Sequence, residues 1–206
     1  DLARKNNFLI VNDNRYSLIL NDYPMSILSI EGAEDVALEL NSLSKSHNMA
    51  GWRIGWVAGK KEYIDAVLKV KSNMDSGMFL GLQHAAVEAL QNDKRWFEDL
   101  NAMYRKRKEA ASKILDELNC TYTDKQSGLF VWAKAPQHIN DVEKWIDEIL
   151  YSTKVFITPG FIFGDNGKRY IRISLCATAD KLNEAHQRIK KFMISQSKAL
   201  HQTTPA

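Results

Sequence analysis

The chain has 206 residues, with 28 Lys and Arg against 25 Asp and Glu, for a net charge of +3; 45% of residues are hydrophobic and 26% charged. This composition excludes a disordered chain, and a charge so mild and scattered excludes a nucleic-acid footprint. No stretch approaches the ~18 uninterrupted apolar residues of a membrane span, and no signal-peptide pattern is present.

The sequence opens with Asp1-Leu2-Ala3-Arg4 rather than a methionine, and residues 1–7 read as the end of a helix. Phe8-Leu9-Ile10-Val11 is an apolar run short enough for a buried strand. A buried parallel strand needs neighbours on both sides, so an N-terminal portion of the domain is expected to be lost or omitted. After an irregular stretch with Pro24 and Gly32, Val36–Leu40 reads as a second strand and Trp52–Gly59 as a third. Apolar residues at helical spacing predict helices over 61–72 and 80–91. A long helix follows from about Asp93 to Leu118, with Trp96, Leu100, Met103, Ala110, Ile114 and Leu118 near one face, and it is the candidate bridge between two substructures. Beyond it come short strands near Thr121-Tyr122, Leu129–Ala133, Val155–Thr158 and Tyr170–Leu175. A helix over 141–152 is capped by Asn140 with Glu143 three residues on, and a last helix over 179–199 is opened by Thr178. The tail His201–Ala206 is polar and expected to fray. The order is α/β, with a small α+β domain at the end.

Several residues read as structural. The basic group Arg105-Lys106-Arg107-Lys108 fits a solvated helix face, and five tryptophans look like packing residues without interleaved basic ones. His84, among apolar helix residues, reads as packed. Cys120 and Cys176 lie far apart without metal spacing, which implies buried thiols in a reducing compartment and a cytoplasmic location.

Three segments carry chemistry. Ser42-Leu43-Ser44-Lys45 sits at the end of the second strand, with Arg53 eight residues after the lysine between Gly51 and Gly55. A lysine amine can condense with an aldehyde, and hydroxyls with a guanidinium can fix a phosphate. A free lysine, with a pKa of about 10.4, is almost wholly protonated at neutral pH, and burial or a neighbouring cation makes it a nucleophile. On spacing alone a surface lysine in a serine-rich loop is equally open. Asp13 and Tyr16 follow the first strand, at the end where α/β sites collect; a turn aspartate is the plainer alternative. Arg172 alternates with Ile171 and Ile173 and so points to the opposite face, as an edge-strand surface arginine also would.

Together these segments resemble the class I/II PLP-dependent aminotransferases, the fold type I PLP enzymes, over nearly the whole chain. The resemblance implies that Lys45 carries pyridoxal 5'-phosphate as a Schiff base. It also implies that Asp13 pairs with the ring nitrogen, that Tyr16 binds the phenolic oxygen, and that Ser42, Ser44 and Arg53 hold the phosphate. Arg172, in Tyr-x-Arg-x-Ser, would grip the substrate α-carboxylate, with Arg169 left on the surface and His47 without a catalytic task. Ser127–Trp132, Thr158-Pro159-Gly160 and Phe163-Gly164 also resemble the family, with a structural role as open as a catalytic one. The implied fold is the C-terminal half: residues 1–95 the end of the large PLP-binding domain, with a partial parallel or mixed sheet, and 96–206 the small α+β domain. The implied activity is ping-pong transamination between an L-amino acid and a 2-oxo acid in a homodimer, with no nucleic-acid, membrane or metal partner. Residues 69–79 resemble the LL-diaminopimelate, aspartate and alanine branch and offer no arginine for a side-chain carboxylate. The family's N-terminal half supplies a ring that stacks on PLP, a supporting asparagine and a phosphate-cradling loop. None of these is in the chain, so these residues alone are expected to bind PLP poorly. A C–S lyase or cyclopropane-forming enzyme on the same lysine, or an effector-sensing domain of a transcription regulator, remains open.

Overall fold

The computed structural model describes the backbone of residues 1–202 and the side chains of residues 1–196. The expected fraying of the polar tail therefore lies outside the described side chains. The chain divides into two compact units, Asp1–Asp99 and Leu100–Ala206.

In the first unit a short helix α1 (Leu2–Asn6) precedes β1 (Ile10–Asp13). β1 pairs in parallel with β2 (Ala37–Ser42), which pairs antiparallel with β3 (Gly55–Gly59). Among the described residues β1 has a ladder partner only on its β2 side, and Val11 and its neighbours Phe8 and Leu9 are exposed. β3 starts three residues later than its apolar pattern predicts. Trp52 closes a 3-10 turn and Arg53 adopts left-handed backbone with φ 58°, which no strand continues through. Between β2 and β3 lies the four-residue helix α2 (Leu43–Ser46). The helices α3 (Lys61–Lys71) and α4 (Leu80–Leu90) follow, and neither fully buries a residue. The core is small: Leu43, Met49 and Ile54, with Leu82, Ala85, Ala86 and Ala89 of α4 against it.

The long helix α5 (Lys94–Glu117) begins before the division and continues past it. Its buried residues are Tyr104, Ala110, Ala111, Ile114 and Leu115. Trp96 and Met103 are exposed instead of joining the predicted face. The second unit's sheet is antiparallel, in the order β4 (Phe130–Lys134), β6 (Tyr170–Ser174), β5 (Thr158–Pro159). Val131, Ala133, Ile171 and Ile173 are buried on one face, together with residues of α5, α6 (Val142–Thr153) and α7 (Ala179–Gln202). Asp141, one residue after the expected cap, opens α6 by accepting from the Lys144 amide at 3.0 Å. Thr121 makes only an isolated bridge to Lys134. The predicted strand over 155–158 shrinks to two residues, since the Val155 amide donates to the Thr153 hydroxyl and Pro159 has no amide to give.

Other expectations also change. Among the basic four, Arg107 donates to the Leu175 carbonyl and Lys108 to the carbonyls of Asp124 and Gln126; only Arg105 and Lys106 are purely solvated. Trp52, Trp56 and Trp96 are exposed, as are His84 and Cys176. Cys120 is half-buried, and its burial pushes the thiol up to about 12.

Candidate active site

The first unit brings Asp13, Ser42, Ser44, Lys45 and Arg53 to one end of its sheet. Asp13 ends β1 and Ser42 ends β2; Gly55, two residues after Arg53, opens β3 opposite Ser42. A side chain at Gly55 would bring its Cβ within 2.6 Å of the Asn41 carbonyl, so only glycine lets the two strands meet this closely.

Ser42 does two jobs. Its hydroxyl accepts from the Ser44 amide at 3.1 Å, capping α2. It also lies 2.9 Å from the Ser44 hydroxyl and 3.2 Å from the Ile54 carbonyl. Lys45 stands half-buried in the next turn, and no hydrogen bond or ion pair engages its amine among the described residues. Arg53 is exposed, and its Nη1 donates to the Ala50 carbonyl at 3.0 Å. Asp13 is exposed as well, so burial does not isolate its carboxylate: Arg15 grips it with two nitrogens, Nε at 3.1 Å and Nη2 closer. The half-buried Tyr16 lies beneath that guanidinium, its ring centroid 5.7 Å from the Arg15 Cζ.

Sequence reasoning missed the residue that organises this end. Glu39 is buried in the middle of β2. It accepts from the Ser26 hydroxyl and the Ile27 amide at 2.8 Å each, and from the Asn12 and Asn41 side chains at 3.3 Å each. Burial pushes its carboxyl upward, but hydrogen bonds from Ser26, Asn14, Ile27 and Asn12 together outweigh that and hold it below the usual range. Glu39 thus ties the loop before β2 to β1 and β2. The sequence signal was a lone carboxylate in the apolar run Val36–Leu40, which names no partners. His47 is buried too; its Nδ1 lies 2.8 Å from the Ser46 hydroxyl, its ring meets Phe97 edge-on, and burial lowers its pKa. It braces α2.

In the second unit Arg172 lies on the central strand β6, not on an edge, flanked by Trp132 on β4 and Thr158 on β5. Ile171 and Ile173 face the core and Arg172 the opposite face. Its guanidinium carbon lies 4.1 Å from the ring centroids of both Phe130 and Phe163. Arg169 is not a surface residue: its guanidinium donates to the carbonyls of Ile139 and Pro136, fastening that loop to the start of β6. Thr158-Pro159-Gly160 forms β5 and enters a 3-10 turn, where a Cβ on Gly160 would lie 2.4 Å from the Gly167 carbonyl.

The pattern of the family "Aminotransferase class I and II" matches residues 1–189. The chain belongs to the class I and II aminotransferases. An LL-diaminopimelate aminotransferase of Natranaerobius thermophilus is 40% identical over 192 residues, covering 92% of this chain and 50% of that protein. One from Nitratidesulfovibrio vulgaris is 38% identical over 191 residues, 91% of this chain and 49% of that protein. Among solved structures, BacF of Bacillus subtilis in its apo form aligns at a TM-score of 0.84 and 35% identity, over 93% of this chain and 49% of BacF. An aromatic aminotransferase of Pyrococcus horikoshii aligns at 0.86 and 25% identity, over 96% and 54%. The chain spans about half the length of the curated relatives it matches. Its mixed α/β architecture is that of a partial fold type I aminotransferase.

Proposed function

We propose that this chain carries cofactor- and substrate-binding residues of a PLP-dependent aminotransferase moving an amino group between an L-amino acid and a 2-oxo acid. The observation that carries the reading is the α2 turn at the end of β2. There, a half-buried lysine with an unengaged amine follows two hydroxyls that bond each other, and the start of β3, just after Arg53, lies against Ser42.

The donor set fits a phosphate-bearing aldehyde. Ser42, Ser44 and Arg53 offer hydroxyl and guanidinium donors for phosphate oxygens. Lys45 is the amine that holds the aldehyde carbon. Asp13 serves a protonated ring nitrogen once Arg15 yields it, and Tyr16 serves the phenolic oxygen. Bound PLP supplies an electron sink for the carbanion formed at the substrate's α-carbon. The chain's own residues do the rest. Once the substrate's amine displaces it, Lys45 Nζ takes the α-carbon proton and delivers it to the former aldehyde carbon rather than returning it to the α-carbon. Arg172 fixes the α-carboxylate with two parallel N–H donors, which orients the α-hydrogen.

The relatives named LL-diaminopimelate aminotransferase support an amino-acid donor of that class. Residues 69–79 offer Lys69 and Lys71 but no arginine, and Lys71 is already paired with Asp75, which disfavours an aspartate-type donor. A homodimer working in the cytoplasm belongs to the same proposal.

The test is a visible absorption spectrum of the protein as it naturally occurs with added PLP, before and after borohydride, beside Lys45→Ala. A yellow band fixed covalently in the parent and absent from the variant supports the reading. A band that survives in Lys45→Ala removes Lys45 from its role.

A further inference from the structure

The face of the second sheet that carries Arg172 is unusually aromatic. Phe130 and Trp132 of β4 and Tyr170 of β6 share it, because positions two apart on a strand point the same way. Trp132 sits opposite Arg172; Phe130 is the diagonal neighbour of Arg172 across the ladder, within reach for a large side chain, and Tyr170 lies two residues before Arg172 on β6. Phe163 reaches the same face from the turn Gly160–Phe163. Trp132 stacks on Tyr170 with centroids 5.3 Å apart and meets Phe163 edge-on at 5.7 Å. The turn itself is pinned. Gly160 leaves no room for a side chain beside the Gly167 carbonyl and the Trp132 ring, and the Gly164 amide donates back to the Phe161 carbonyl at 3.0 Å. Two rings therefore reach the Arg172 guanidinium, one carried by a strand and one by a braced turn, each at 4.1 Å. No acidic side chain pairs with Arg172 among the described residues.

We propose that Phe130 and Phe163 are positioning residues for carboxylate binding, seating the Arg172 guanidinium between their rings so that an α-carboxylate meets a pre-set fork. The inference rests on the reading of Arg172 as the carboxylate ligand. A guanidinium on a free stem loses rotamer freedom when it grips an anion, and rings that hold it beforehand remove that loss from the binding step. Aromatic rings attract the cation through their faces and leave its in-plane N–H donors for a bidentate partner. An acidic neighbour would steady the arginine too, but it would compete for those donors. Aromatic rings do not.

The experiment is calorimetric binding of 2-oxoglutarate to the PLP-loaded protein as it naturally occurs, comparing parent, Phe163→Leu, Phe163→Tyr, Phe130→Leu and Arg172→Lys. Phe163 is half exposed, so its variants are expected to fold, and thermal melts run alongside check this. Phe163→Leu is expected to weaken Kd by about three- to tenfold, the scale of a partly desolvated cation–π contact. Phe130→Leu should follow it, and Phe163→Tyr, which keeps the ring, should retain the parent Kd. If Arg172→Lys weakens binding while both leucine variants bind as the parent does, the aromatic seat is wrong and the carboxylate role stands. Equal loss in Phe163→Leu and Phe163→Tyr also overturns the seat, since the ring would not matter. Parent-like binding by Arg172→Lys, or a parent that does not bind 2-oxoglutarate, overturns the carboxylate role and the seat together.

Discussion

The two units solve packing differently. The second has a dense core: Ile114, Leu115, Leu118, Val131, Ile146, Ile149, Ile171, Leu175 and Ile189 are all essentially sealed from solvent. In the first, the side chains sealed to the same degree are Ile19, Leu43 and the small Ala3 and Ala37, while Val67, Leu68, Val70, Phe79, Leu80 and Val87 of its helical region stay exposed. The lysine turn stands on the thinly packed unit and Arg172 on the dense one. Polar ties therefore carry more of the order around Lys45, through Ser42, Glu39 and His47, whereas apolar burial beneath β6 fixes Arg172.

The largest effect that would sharpen this comparison is all-or-none. Lys45→Ala should abolish covalent trapping of PLP by borohydride and leave the melting of the second unit unchanged, read by absorbance and calorimetry on one sample. Next comes packing. Ile171→Ala should destabilise the second unit by about 2–5 kcal/mol, as a truncation in a sealed core does. Leu68→Ala on α3, already exposed, should stay within about 0.5 kcal/mol. Comparable losses in urea titrations would show that α3 is buried in the working protein and that the contrast between the units is not intrinsic.

Glu39 tests the polar side. Glu39→Gln should cost the first unit about 1.5–3 kcal/mol near neutral pH, the scale of hydrogen bonds to a buried charge. Its folded carboxyl titrates below its ordinary value of 4.5, so the unfolded chain takes up the proton first as the pH falls. The stabilisation is thus complete above about pH 4.5 and fades as acidity passes through the lower folded value. Melting temperature against pH should show that loss in the parent and a flatter profile in Glu39→Gln. An unchanged slope would remove Glu39 as the tie. The smallest effect is a rate: at pH 8 a thiol reagent should label the exposed Cys176 well before Cys120, whose thiol burial pushes up to about 12. Equal rates would mean that the dense unit opens readily.

Helices over 61–71 and 80–90 were legible from spacing, yet neither buries a residue fully. Periodicity reports that a face is apolar, not that something covers it. Strand edges were read less well where a local bond intervened, as at Arg53 before β3 and at Thr153 before β5. The exposure of the Asp13 carboxylate and its capture by Arg15, two residues away, depend on what surrounds the end of β1.

The sequence by itself determined which groups are available and in what order: Asp13 and Tyr16, then Ser42, Ser44 and Lys45, then Arg53 and Arg172. Covalent spacing and local geometry also set the α2 turn, since Ser42 caps it from two residues away. Only the tertiary structure decided that Glu39 would join Asn12 and Ser26, 27 and 13 residues distant, and that Phe130 and Phe163 would meet at Arg172. Those contacts cross strands and turns, and their geometry follows from ladder register and core burial, which no short-range pattern encodes.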